Sequence, residues 1–315
     1  MKKIIALTLT LVLTQAVWAA PAANKPAAKT QPKTKAEIIV IEDAEYDAGK
    51  EDVLLTQGIA QFLEAQPVVT RMTVQEALQD PKLAQLDYSF LPLYLVKKTK
   101  AIRTKMEKPI SYGAALEGDE FIILPHQTRQ GVYANKEAKK GVMELFVMCQ
   151  CPYGVRAEDL IIKAKKDGKF PSDKTVRVRY IVNYHPSAGF SSLHGSGEWE
   201  ENVRQLLIAK YYPEKFWKYL EIRNKDYRSS RWDKAMEDAG INPKKIMKKF
   251  DSEGLELLKA EAAYVNEYGV SASPSLVWEG KVKLGLDSAA KIEGFEFFNP
   301  KTSDNPTAAV PAGSC

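Results

Sequence analysis

Two of the three cysteines in this 315-residue chain stand two residues apart, in the run Cys149-Gln150-Cys151-Pro152-Tyr153-Gly154. The run follows residues 142–148 (VMELFVM) directly. An uninterrupted apolar stretch of that length predicts a strand buried on both faces. Pro152 suits the first position of a helix, where its missing N–H costs nothing. Cys151 then falls on the N-cap, facing unpaired N–H groups and the positive end of the helix dipole. Both favour the thiolate over the thiol and make the sulfur a nucleophile. Cys149 is close enough to interact with it. A disulfide between the two would close a small strained ring, readily reduced and oxidising in character. The third cysteine, Cys315, ends a Pro/Ala-rich tail (PKTSDNPTAAVPAGSC). A cysteine there is no core residue; it pairs with something or stands exposed.

The elements needed to hold such a thiol are legible around it. Residues 155–166 have the spacing of an amphipathic helix, apolar at Val155, Leu160, Ile161 and Ala164. Residues 175–182 (TVRVRYIV) alternate as a strand. A long helical stretch covers 198–268, broken at Pro213, Gly240 and Pro243. Ser273-Pro274 then leads into an apolar strand, with a turn at Gly280 and a closing strand at 282–286. The first half repeats this order. Strands are predicted at 37–43 and 67–72, and helices at 52–65 and 74–86. The second helix carries Thr73 as N-cap and Glu76 three residues on, the pattern of a capping box. Residues 90–96 form an X-Pro strand through Leu91-Pro92, and 120–124 a closing strand. A linker is expected at about 125–140, with Gly131 and a charged run from Lys136 to Lys140.

The Cys-Pro-Tyr step behind a strand, with Ser273-Pro274 before a later strand, resembles the thioredoxin superfamily. Cys-Pro-Tyr is similar to the glutaredoxin motif. The helical stretch between the second strand and the Ser-Pro strand resembles the DsbA-like branch. Within it, His194-Gly195-Ser196-Gly197-Glu198-Trp199-Glu200-Glu201-Asn202 resembles the H-G-x-x-E-x-x-x-N core of interferon-inducible lysosomal thiol reductases. The resemblance covers about 141–298. It implies an α/β fold of two tandem thioredoxin-like domains, a degenerate one at 36–130 and a DsbA-like one at 141–298 with a helical insertion at 198–268. It also implies a cis Pro274 beside Cys151, with the Ser273 backbone presented to an extended peptide, and Pro152 and Tyr153 beside it.

The departures from the family pattern bear on the chemistry. The second cysteine of the family's C-x-x-C falls on Gly154. Ser192, Trp199 and Leu207 stand where the thiol-reductase signature has cysteines. In the first half the corresponding loop reads Asp43-Ala44-Glu45-Tyr46-Asp47, without a thiol. The leading expectation is a thiol-disulfide oxidoreductase acting on protein thiols through Cys151 with Cys149, served by a redox partner. Cys151 acting as a monothiol, and Cys315 folding back as resolving thiol, remain open beside it. The rival is a non-catalytic module that holds peptides at Leu91-Pro92 and Ser273-Pro274. Cu(I) bound by the thiols is a third reading. No other metal and no cofactor is expected. His126, His185 and His194 are scattered, and His194 reads as a structural residue at a helix start. The aromatic run Tyr211, Tyr212, Phe216, Trp217, Tyr219 has the spacing of insertion core. The lysines between 244 and 249 read as a solvated helix face.

Composition sets the frame. With 45% apolar and 27% charged residues the chain is ordinary for a globular protein, which excludes wholesale disorder. Its length suits two domains. Three cysteines are too few for a disulfide framework. The net charge of +5 comes from Lys2, Lys3, Lys25, Lys29, Lys33 and Lys35; without them 39 basic residues face 40 acidic ones. Nothing there favours nucleic acid as a partner. Residues 1–20 read as a secretory signal peptide, with Lys2 and Lys3, an apolar run 4–13, and cleavage near Ala19 or Ala20. Residues 21–35 read as a Pro/Ala/Lys linker and 299–315 as a flexible tail. The expectation is an exported protein, periplasmic or secreted, with no membrane span in the mature chain.

Overall fold

The computed structural model describes residues 34–124 and 130–299. The expected signal peptide, nearly all of the first linker, His126 and Cys315 lie outside the described residues. Strand β1 (Lys35–Glu42) buries Ala36, Ile38, Val40 and Ile41 completely. Helix α1 (Val53–Phe62) follows, capped by Asp52, whose carboxylate accepts from the N–H groups of Leu54 and Leu55. Strand β2 (Gln66–Thr73) runs parallel to β1. Helix α2 (Val74–Ala77) opens with the capping box Thr73–Glu76. It is far shorter than the sequence pattern predicts. Pro81 explains this, because it donates no backbone hydrogen bond and drives Asp80 away from helical angles.

The expected X-Pro strand at 90–96 is two strands. Strand β3 (Phe90–Leu91) ends at a cis Leu91–Pro92 bond, and β4 (Leu93–Lys97) begins beyond it. Helices α3 (Lys100–Lys105) and α4 (Glu107–Ser111) and strands β5 (Leu116–Glu117) and β6 (Phe121–Leu124) complete the first half. Its sheet has the order β2-β1-β4-β6-β5, with β4 antiparallel to β1 and β6 antiparallel to β4. Strand β3 is not in that sheet.

The second half supplies β7 (Gly131–Tyr133), β8 (Val142–Val147), α5 (Pro152–Lys166), β9 (Thr175–Tyr180) and a small hairpin, β10 (Asn183–His185) with β11 (Gly189–Ser191). Five helices come next: α6 (Ser196–Tyr211), α7 (Phe216–Arg223), α8 (Trp232–Asp238), α9 (Pro243–Met247) and α10 (Leu255–Glu267). They enclose a core of their own, including Val203, Leu207, Tyr219, Leu220, Met236 and Leu258. Strands β12 (Ser275–Trp278) and β13 (Val282–Leu284) and helix α11 (Leu286–Ala289) follow. The second sheet has the order β3-β7-β13-β12-β8-β9, with β8 parallel to β9 and β12 antiparallel to both its neighbours. Each sheet thus holds a parallel first and second strand flanked by an antiparallel pair. The chain is α/β, with two units of like sheet topology and a helical insertion in the second.

The stretch expected as a linker contributes β7, and the first unit contributes β3, to the second unit's sheet. Phe90 pairs with Tyr133 and Leu91 with Val132. Gly131 makes this possible. A Cβ there would lie 2.4 Å from the Leu91 carbonyl oxygen and 2.3 Å from the Phe90 ring. An aromatic edge then joins the units, Phe90 to Tyr133 at 4.8 Å between ring centroids, and Tyr133 in turn meets Tyr268 within the second unit at 4.9 Å. The Tyr133 hydroxyl donates to the Tyr268 carbonyl at 2.6 Å, fully buried.

Candidate thiol site

Cys151 is the N-cap of the fifteen-residue helix α5, with Pro152 at its first position. Its side chain makes no capping hydrogen bond. The residue is completely buried and its sulfur is disulfide-bonded. It belongs to a buried cluster that includes Phe146, Met148, Val270 and Val277 of the second unit and Phe90 of the first, with the half-buried Tyr153 packed against that cluster. The Ser273–Pro274 bond is cis. Cys151 Sγ lies 3.5 Å from the Ser273 carbonyl oxygen. As a disulfide sulfur it has no proton to donate there; as a thiol it would have one. The Ser273 hydroxyl oxygen accepts from the Met148 N–H at 2.9 Å. The structure therefore brings Cys151, Pro152, Tyr153, Ser273 and Pro274 to one place.

Cys149 sits differently. Its thiol is free and buried, and donates to the Glu198 carbonyl oxygen at 3.4 Å. Burial pushes the thiol well above its ordinary pKa; Glu201, Glu198 and Glu158 add to the push, and Arg223 opposes it. A Cys149–Cys151 disulfide is not the form this structure holds.

Gly154, where a C-x-x-C motif would carry its second cysteine, has no room for a side chain. A Cβ there would stand 2.6 Å from the Ser273 hydroxyl oxygen and 3.2 Å from both the Met148 carbonyl oxygen and Val147 Cβ. The glycine is a condition of the close approach between α5 and the cis-proline segment.

A layer of buried polar side chains lies behind Cys149. Glu201 accepts from Arg204 Nε at 2.8 Å, Gln205 Nε2 at 3.1 Å and the Tyr219 hydroxyl at 2.7 Å. Arg223 Nε lies 3.3 Å from the same carboxylate, without the angle of a hydrogen bond. Glu158, on α5, accepts from Asn224 Nδ2 at 3.0 Å through one oxygen, while the other has no hydrogen-bond partner. Burial raises its pKa to about 8, against the opposing bond from Asn224. Glu158 is three residues from both Val155 and Ile161, on the apolar face of its helix. A charged residue on that face is the signal that could have marked it in the sequence.

A stability prediction arises from Glu158. Its pKa is higher folded than unfolded, so its contribution is full below about 4.5 and lost as pH rises through about 8. Glu158→Gln mimics the protonated acid. It is expected to flatten the fall in stability between pH 5 and 9, gaining a few kcal/mol, on the order of 2–4, at pH 9. Urea melts at both pH values check this; a parallel fall in both proteins would refute it.

The corresponding face of the first unit is closed. Asp43 Oδ1 caps its loop by accepting from the N–H groups of Glu45 and Tyr46. Ala48 and Tyr46 pack into the second unit's core with Val132 and Val282. Leu91 is 1% exposed, and its backbone edge is taken by β7. The peptide groove expected at Leu91-Pro92 is thus filled by the chain itself. Among the described residues no group of three or more His, Cys, Asp or Glu is arranged to hold a metal ion. Among them, too, no helix is long and apolar enough to cross a membrane.

No family model and no curated protein matches the chain. Among solved structures, it is similar to a DsbA disulfide interchange protein from Klebsiella pneumoniae, at 16% identity over 54% of this chain and 88% of that one, TM-score 0.38. It is likewise similar to SrgA from Salmonella enterica serovar Typhimurium, at 14% identity over 54% and 92%, TM-score 0.39, and to oxidised BdbD from Bacillus subtilis, at 18% identity over 45% and 77%, TM-score 0.35.

Proposed function

We propose that this protein is an exported thiol-disulfide oxidoreductase that works through Cys151, with Cys315 as the resolving thiol. One observation carries the reading: Cys151, at a helix N-terminus beside a cis-proline, is disulfide-bonded while Cys149 keeps a free buried thiol. The sequence holds one further cysteine, Cys315. A resolving thiol on the tail also answers the steric closure at Gly154, where the usual second cysteine has no space.

The exchange balances as follows. A substrate thiolate attacks one sulfur of the Cys151–Cys315 bond, and the other sulfur leaves as a thiolate and takes up a proton. A second substrate thiol then resolves the mixed disulfide. The substrate gains a disulfide, and two electrons and two protons pass to Cys151 and Cys315. A redox partner carrying a disulfide reverses the change. The helix N-terminus favours Cys151 as the thiolate when reduced. Ser273, Pro274, Pro152 and Tyr153 form the surface that meets an extended substrate peptide.

Peptide mapping under non-reducing conditions, on protein prepared from its native compartment after blocking of free thiols, tests the reading. The expected result is a Cys151–Cys315 linked peptide and an alkylated Cys149. A linked Cys149–Cys151 peptide would replace the tail-resolved cycle with a C-x-C one. Three alkylated cysteines would overturn both.

A further inference from the structure

We infer that Glu198 is the positioning residue of the thiol loop; the inference deepens the reading of Cys151 and Cys149 given above and rests on it. Glu198 lies in the first turn of α6 and is completely buried. Its Oε1 accepts from the Gln150 backbone N–H at 2.9 Å and contacts His194 Nδ1 at 2.9 Å. Its Oε2 accepts from the His194 N–H at 3.3 Å. Its backbone oxygen takes the Cys149 thiol proton at 3.4 Å.

Gln150 is the residue between the two cysteines, in the turn between β8 and α5. That turn is held from the cis-proline side by the Ser273 hydroxyl on Met148 N–H, and from the insertion side by Glu198 on Gln150 N–H. A buried N–H without a partner is costly, so these two bonds select one conformation of the turn. The turn sets where Cys151 Sγ stands over the helix N-terminus and next to the Ser273 carbonyl. Exchange through a near-linear arrangement of three sulfurs is sensitive to that placement. The helical insertion thereby reaches the thiol through one side chain, and His194 keeps that carboxylate oriented.

The test compares Glu198→Ala, Glu198→Gln and Glu198→Asp in the full chain. Two quantities are read per folded molecule: the rate of exchange between the Cys151 disulfide and glutathione, and the native-state alkylation rate of Cys149. Glu198→Ala is expected to slow exchange about tenfold through misplacement of Cys151. It is expected to speed Cys149 alkylation about tenfold through local opening of the turn. Glu198→Gln keeps an oxygen at Oε1 and should hold both quantities within about threefold. Glu198→Asp is a methylene too short to reach Gln150 N–H and should behave as the alanine variant does. A residue that only stabilised the fold would lower the melting temperature in all three and leave both rates unchanged per folded molecule, which overturns the inference. If alanine does not fold, the order of the other two decides: aspartate intact and glutamine impaired would mean that charge matters and reach does not. Cys149 alkylation requires no enzymatic activity. Loss of the oxidoreductase reading, seen as no glutathione exchange in the parent, is therefore distinct from loss of this one.

Discussion

Cys151→Ser is expected to lower thiol–disulfide exchange by at least about a hundredfold, as loss of a nucleophile does. Cys149→Ser should stay within about threefold. The contrast follows from two different environments only two residues apart. Cys151 caps α5, where the unpaired N–H groups and the dipole stabilise a thiolate. Cys149 is buried against three glutamates and its thiol is pushed well up, so its thiolate is scarce at neutral pH. Insulin reduction and glutathione exchange measure both variants. Equal loss in the two would mean that Cys149 attacks or resolves, and the C-x-C cycle would stand. Cys315→Ser separates the remaining cases. If the tail resolves, this variant should accumulate a mixed disulfide at Cys151 and stop there, visible as a mass adduct.

Gly154→Ala should destabilise the fold by about 2 kcal/mol, even though alanine is the better helix former by about 1 kcal/mol. The new Cβ would meet the Ser273 hydroxyl oxygen at 2.6 Å. That oxygen belongs to a buried, short side chain and is engaged by the Met148 N–H. Relieving the clash means breaking this bond or moving α5, at about 1–3 kcal/mol for either. Ser273→Ala removes the obstructing oxygen but strands the Met148 N–H. The double variant should therefore be more stable than the sum of the singles by about 1 kcal/mol or more. Denaturant melts of the four proteins close the cycle; strict additivity would show that Ser273 is not what excludes a side chain at 154. Gly154→Cys restores the C-x-x-C spacing in the sequence, yet it meets the same obstruction. It is expected to be less stable than the parent.

Local chemistry was readable without coordinates wherever neighbours in the chain set it. Pro152 after Cys151 dictates a helix start, because a missing N–H is tolerated only there. Thr73 and Glu76 form their capping box three residues apart, within one turn. Short apolar runs marked most strands of both sheets, and alternation marked the one at 175–182. Pro81 was as legible as these, and it ends α2 where periodicity alone continued it. By contrast, Leu91-Pro92 and Ser273-Pro274 look alike in sequence, and both bonds are cis. One lies beside Cys151, and the other is the point where the chain passes from one sheet to the other.

That difference belongs to the tertiary structure, since it depends on what comes to lie against each segment from far along the chain. Leu91 is closed by Val132, and the loop after Asp43 by the core around Val282. Gly154 is held bare by Ser273, and the Cys149 thiol is kept neutral by its burial, with glutamates on α5 and α6 adding to the effect. Spacing along the chain carries none of these distances. By itself the sequence determined that Cys151 would stand at a helix start behind a buried strand, and which elements would flank it. Long-range packing decided that the Cys149 thiol is buried and stays protonated, that position 154 has no room for a side chain, and that the Leu91 edge of the first unit is taken by the chain's own β7.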